Sequence, residues 1–246
     1  MSTIQVTAGA QVARKRIPNP ARDSRFFLAM AIACAIGVFA GFSRTYYLKA
    51  YFATPALSPL FHIHGVVFSA WMVYFVAQTA LIANRRVSLH RSLGYAGTVL
   101  VSAMIVLGIA AAFATAKAGL FQHIPFAHNR EGAFFFSLVS LMNFVILVGA
   151  GFYFRRNRQV HQRLMLMATA CVLVPVALSR LPASVHPVAL IFIFALAGPV
   201  YDLLTLRRIH RAYGWSLLLF FLTQPPLRML VGNSAKWYRF AHRLLS

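Results

Sequence analysis

Seven unbroken apolar runs, each close to the thickness of a bilayer, limit what this chain can fold into more than any other feature. They lie at roughly 26–43, 60–83, 93–116, 131–154, 164–180, 187–205 and 214–233, and about 20 residues suffice for a helix to cross hydrocarbon. The alternating polarity of a membrane barrel is absent. In lipid an unbroken apolar run must satisfy its own backbone hydrogen bonds, which a helix does. The expected fold class is therefore all-α, a polytopic seven-helix transmembrane bundle built as one leading helix followed by three hairpins.

Composition agrees, with 60% hydrophobic residues and a mean hydropathy of +0.69, too apolar for an ordinary soluble domain. Only Asp23, Glu131 and Asp202 are acidic, against 24 Lys and Arg, for a net charge of +21. Such charge can serve nucleic acid. Here the basic residues gather beside the apolar runs, the pattern of the positive-inside rule and of attraction to anionic headgroups, so the expected partner is the lipid bilayer and no nucleic acid. Cys34 and Cys171 both fall inside apolar runs, which indicates neither a disulfide framework nor a thiolate cluster. Residues 1–25 read as a basic cytoplasmic tail, 26–233 as the membrane domain and 234–246 as an outer-face C-terminal segment.

Sorting Lys and Arg by alternate loops puts fifteen on one side. These are the five in the tail, then Arg85, Arg86 and Arg91, then Arg155, Arg156, Arg158 and Arg163, then Arg207, Arg208 and Arg211. The other nine face the opposite way. This expects a multi-pass protein of the bacterial inner membrane with its N-terminus cytoplasmic and its C-terminus periplasmic. Each cytoplasmic turn also repeats a histidine behind its arginines, as His90, His161 and His210. The remaining histidines, His62, His64, His123, His128, His186 and His242, fall at the outer face. Two tiers of histidine a membrane's thickness apart suit a transmembrane electron carrier, although topology anchors produce similar placements.

Helical spacing then sorts the faces. His62 and His64 are two residues apart and point in nearly opposite directions. His64 continues into Phe68, Trp71, Phe75 and Gln78, an aromatic stripe read as packing; His62 continues into Gly65, Ser69 and Val73, slim enough for a flat porphyrin or a close helix. Below His90 lie Gly94, Gly97, Val101, Met104 and Gly108, where a helix or a macrocycle can approach. His128 leads to Gly132, Phe136, Ser140 and Asn143. In the last run His210, Gly214, Leu217, Phe221, Gln224 and Arg228 share a face interrupted by Pro225 and Pro226. Arg228 and Arg180 sit just inside the outer boundary, either snorkelling or pairing with anionic groups such as haem propionates or Glu131. Asp202, an intramembrane carboxylate, needs a partner from Arg207, a neighbouring Arg cluster or a histidine ring.

Two short stretches carry a resemblance. Leu89-His90-Arg91-Ser92-Leu93-Gly94 resembles the HR-x-x-G signature of uncharacterised bacterial multi-span membrane proteins, with His90, Arg91 and Gly94 as the matching positions. Val160-His161-Gln162-Arg163-Leu164-Met165-Leu166-Met167-Ala168 is similar to the H-x-R-L-M-L-x-A stretch of a small family of bacterial haem-copper oxidase assembly factors. The resemblance implies an inner-membrane helical bundle bordering on b-type cytochromes and respiratory assembly proteins. It departs from four-helix di-haem cytochromes in setting His90 and His161 at the membrane edge, outside the expected spans.

Three function classes stay open. A b-type haem protein would pass electrons between a quinone and a respiratory or other membrane or periplasmic redox partner. Its haem b would be held in the outer tier by His62 or His64 with His128 or His186, assisted by Arg180 and Arg228, with His90, His161, His210 and Asp202 forming a second tier. A non-catalytic assembly or metal-handling protein would collect copper or iron at His62, His64, His123 and His128. A transporter or small-molecule-binding bundle would use the interrupted last helix with Gln224 and Arg228. A retinal Schiff base lacks a Lys within a late span, zinc hydrolysis lacks carboxylates, and no phosphate loop, C-x-x-C or nucleophile elbow occurs.

Overall fold

The computed structural model describes residues 19–120, 129–224 and 227–246, with only the backbone of residues 228 and 229. The described elements are helical, and no strand occurs among them. Helix α1, Pro20–Phe42, starts six residues before the expected run because Asn19 caps it: its side-chain oxygen accepts from the N–H groups of Ala21 (3.1 Å) and Arg22 (3.2 Å). Pro20 fills the first helical position, where no donor is needed. A widened turn, Ser43–Tyr47, continues it. Helices α2, Pro59–Ala83, and α3, Val87–Lys117, form the first hairpin, and α4, Arg130–Tyr153, leads the second.

The next span, Arg158–Leu178, is composite. Helix α5, Arg158–Ala168, passes through a widened turn at Thr169–Leu173 into α6, Val174–Leu178. Pro175 explains the turn. Its ring lacks an N–H and would crowd the carbonyl four residues back, and looser winding there relieves both. This span is the bundle's axis: 67% of its apolar window is buried, against 22% in α2 and α3. Gly41 makes the tightest approach, since a Cβ there would run into the Ala177 carbonyl. Trp71, fully buried, donates from Nε1 to Thr169 Oγ1 (3.3 Å) and ties α2 to the axis, as the packing reading of the aromatic stripe expects.

Helix α7, Pro187–Leu206, returns to the arginine-rich end, and α8, Arg211–Thr223, starts back. Among the described residues six helices are long and apolar enough to cross a membrane, not the seven expected. Of the run expected at 214–233, helix α8 covers 214–223, and a widened turn occupies Arg228–Gly232. Proline cannot extend an α-ladder, and α8 ends ahead of Pro225. Helix α8 and the widened turn nevertheless pack against the part of α4 between Phe135 and Asn143. Asn143 Nδ2 donates to Thr223 Oγ1 (2.7 Å), Gln224 Nε2 to Ser140 Oγ (3.2 Å), and Gly232 lies against Phe135. A final helix α9, Ala235–Leu245, packs on the ends of α3 and α4 opposite the arginine-rich turns. Ile36, Val66, Val73, Val99, Val106 and Leu204 stand exposed on the flanks of the bundle. The chain is an all-α bundle with the oily exterior that a bilayer covers.

Candidate functional site

The end bearing Asn19 and the arginine-rich turns is termed the near end, and the opposite one the far end. The near end gathers the best-formed polar cluster. Asn157 caps α5 by accepting from the N–H groups of Gln159 (3.1 Å) and Val160 (3.3 Å), so the helix starts at Arg158, not near 164. Helix α3 likewise starts at Val87, not near 93. His161 and His90 therefore lie within helices, roughly one turn from their starts, instead of at an edge outside the spans. Their half-buried rings meet edge to face, with centroids 6.3 Å apart and planes 76° apart.

The hydrogen bonds around this pair set its chemistry. His161 Nδ1 lies 2.8 Å from the Gly151 carbonyl. A carbonyl only accepts, so Nδ1 carries the proton and neutral His161 keeps its lone pair on Nε2, the orientation of a metal-ligating histidine. His90 Nδ1 is buried with no hydrogen-bond partner, as is Gln78 Oε1. Gln78 Nε2 donates to Tyr74 Oη (2.7 Å), which donates to the Leu93 carbonyl (3.2 Å). Of the small residues below His90, Gly97 is filled by Tyr74 and Gly108 by Leu141, whereas a Cβ at Gly94 would meet nothing within 4 Å. The open space is beside His90.

One helix away, Asp202 finds its partner in the second arginine cluster. Arg163 Nε and Nη2 donate to its two oxygens (2.9 and 2.6 Å), both side chains having no exposed surface. Arg163 Nη1 also reaches the Gln159 carbonyl (2.9 Å), its guanidinium lies 5.6 Å from the Tyr213 ring centroid, and Asp202 accepts from the His210 N–H (3.1 Å). His210 caps α8, its Nδ1 accepting from the Ala212 N–H (3.2 Å). Burial, then the positive charge of Arg163, hold its pKa below the ordinary histidine value.

The far end is looser. His62 is exposed beside Tyr46, with ring centroids 6.1 Å apart, and the slim slot expected at Gly65 is occupied by the Tyr46 ring. His64 stacks on Phe68 at 4.0 Å, leaving its buried Nδ1 without a partner. His186 is exposed at the start of α7 with a left-handed backbone (φ 51°). Arg180 lies with its guanidinium 4.7 Å from the Phe42 ring centroid, its Nε unpaired. Glu131 does not pair with Arg180. It takes Arg130 Nε (3.0 Å) and His242 Nδ1 (3.1 Å). His123, His128 and the Arg228 side chain lie outside the described residues.

Among the described residues no group of three or more His, Cys, Asp or Glu side chains is placed to hold a metal ion. Sequence reasoning missed the roles of Gly151, a backbone carbonyl with no side-chain signature, and of Gln78, whose polar group stands alone in an otherwise apolar run. Fold and site together define the class: a multi-pass α-helical membrane protein with a half-buried histidine pair near one end. Compared with known protein families, with curated proteins and with solved structures, the chain matches none.

Proposed function

We propose that this is an inner-membrane b-type haem protein that carries electrons between a quinone and a membrane or periplasmic partner, with haem held at the cytoplasmic near end by His90 and His161. The observation that carries the reading is the spacing of those rings. Two imidazoles bound through Nε2 to one metal ion at about 2.0–2.1 Å keep their centroids roughly 6 Å apart. The centroids of His90 and His161 are 6.3 Å apart.

Ligand number supports haem over a bare ion. Structural zinc takes about four protein ligands, and imidazole-bound copper or iron also needs further donors beyond a pair. The near end offers two. Two suffice when a macrocycle supplies the equatorial nitrogens, as in bis-histidine haem. The Nδ1–H of His161 held by Gly151, and the open space at Gly94, favour the same arrangement. Haem would supply one-electron chemistry; the chain would orient the imidazoles, exclude water and set the potential through burial. Ligation thereby moves from the outer tier, where Tyr46 occupies the slot at Gly65, to the inner one.

Metal analysis and an absorption spectrum of the detergent-purified protein test this together. Iron in step with protein, and a Soret band that shifts on reduction, are expected. Copper or iron without a Soret band would replace the reading with metal handling, and neither metal nor band would end it.

A further inference from the structure

Helix α9 is held across the far end by one face. Trp237, Ala241 and Leu245, spaced four apart, pack with Ala112 and Ala116 of α3 and Phe134 of α4. Trp237 Nε1 donates to the Glu131 carbonyl (2.8 Å), and His242 meets the Glu131 carboxylate, which Arg130 also grips. The helix is therefore anchored where two apolar spans end.

Among the described residues, none packs against its opposite side. Lys236, Arg239 and Arg243 are exposed there with Phe240 and Leu244, and the five line an open groove of ≈ 490 Å³. Among the described residues none of these cations has an acidic partner. The three acidic side chains of the chain are engaged elsewhere, Asp23 with Tyr201, Glu131 in the α9 anchor and Asp202 with Arg163. A stripe of cations interleaved with an aromatic and an aliphatic side chain, fixed at the end of membrane-spanning helices, suits a headgroup region: the ammonium and guanidinium groups meet phosphate while the apolar groups enter the acyl boundary.

We propose that α9 is an interfacial helix that binds anionic phospholipid through Lys236, Arg239 and Arg243, with Phe240 and Leu244 inserted beside the acyl chains. The proposal is independent of the haem reading, since it shares no residue with the near end.

Titration of the detergent-solubilised full chain with phosphatidylglycerol or phosphatidylcholine, with bound lipids counted by native mass spectrometry, tests it. Phosphatidylglycerol should bind more tightly than phosphatidylcholine and weaken as salt rises. A cation near an anionic surface contributes about fivefold in affinity, so the triple variant Lys236→Ala, Arg239→Ala, Arg243→Ala should lose on the order of a hundredfold. Arg239→Lys with Arg243→Lys should retain the preference, and unchanged thermal unfolding of the triple variant would show that the fold is kept. Equal binding of the two lipids, or an unaltered preference in the triple variant, overturns the proposal. So does an acidic soluble protein that binds this face while phosphatidylglycerol does not.

Discussion

The two ends of the bundle carry similar residues and treat them differently. At the near end Arg163, Asp202, His161 and His210 each have named partners, and the Arg163–Asp202 pair has no exposed surface. At the far end His62 and His186 are exposed, and the Arg180 Nε is unpaired. Histidine depth, readable from topology, is therefore a poorer guide to a site than the number of elements converging on each ring. Helices α2 to α5 meet at the near end, whereas His62 and His186 stand exposed at helix starts.

The largest effect should come from breaking the near-end lock. Arg163→Ala leaves the Asp202 carboxylate buried alone and should cost about 3–5 kcal/mol in stability, whereas replacing both partners with Met and Leu should recover most of it. Unfolding of the purified variants in detergent reads this; a loss below about 1 kcal/mol for Arg163→Ala would show that the pair is not the lock.

Two glycines sharpen the contrast between packing and site. Gly41→Ala drives a methyl into the Ala177 carbonyl and should destabilise by about 1–3 kcal/mol. Gly94→Ala meets no neighbour, so stability should stay within about 0.5 kcal/mol. On the proposed ligation by His90 and His161, haem content should nonetheless fall, because the added methyl enters the space beside His90. Unchanged haem content in Gly94→Ala would remove that space from the account.

Acid should loosen the near end modestly. Neutral His210 caps α8, and its pKa is depressed in the folded chain by burial and by Arg163. The stability it contributes is complete above the unfolded value of about 6.5 and is lost as pH falls through the lower folded value, by about 1 kcal/mol for a cap. His210→Asn, a cap that does not titrate, should flatten that part of the pH profile of unfolding; a slope that persists would place the titration elsewhere. The smallest effect belongs to the far end, where His62→Ala should change stability by less than about 0.5 kcal/mol.

Much of the architecture was legible because a bilayer leaves few alternatives: apolar runs of helical length, basic turns and an all-α class follow from hydropathy and charge. The crossing helices were harder to count. Helix α8 ends at Thr223, inside the last apolar run, and apolarity alone does not report where a ladder ends. Helix starts were misplaced for a related reason. Asn19 and Asn157 cap polar first turns that hydropathy assigns to loops, and this shift carries His161 inside its helix. Of the site, His90, His161 and Asp202 were visible as residue types at one depth. Their pairing depends on which faces meet across different hairpins, which spacing within one helix does not specify. The docking of α9 was hidden as well, because its anchor joins Trp237 and His242 to Glu131, more than a hundred residues earlier.

The reduced-minus-oxidised absorption spectrum of the purified protein, recorded beside His161→Ala and His62→Ala variants that insert equally well, separates ligation at the near end from ligation at the far end. A b-type difference spectrum is expected in the parent and in His62→Ala, with its loss or conversion to a high-spin form in His161→Ala. A spectrum untouched in His161→Ala but abolished in His62→Ala would contradict near-end ligation and return the ligands to the far end.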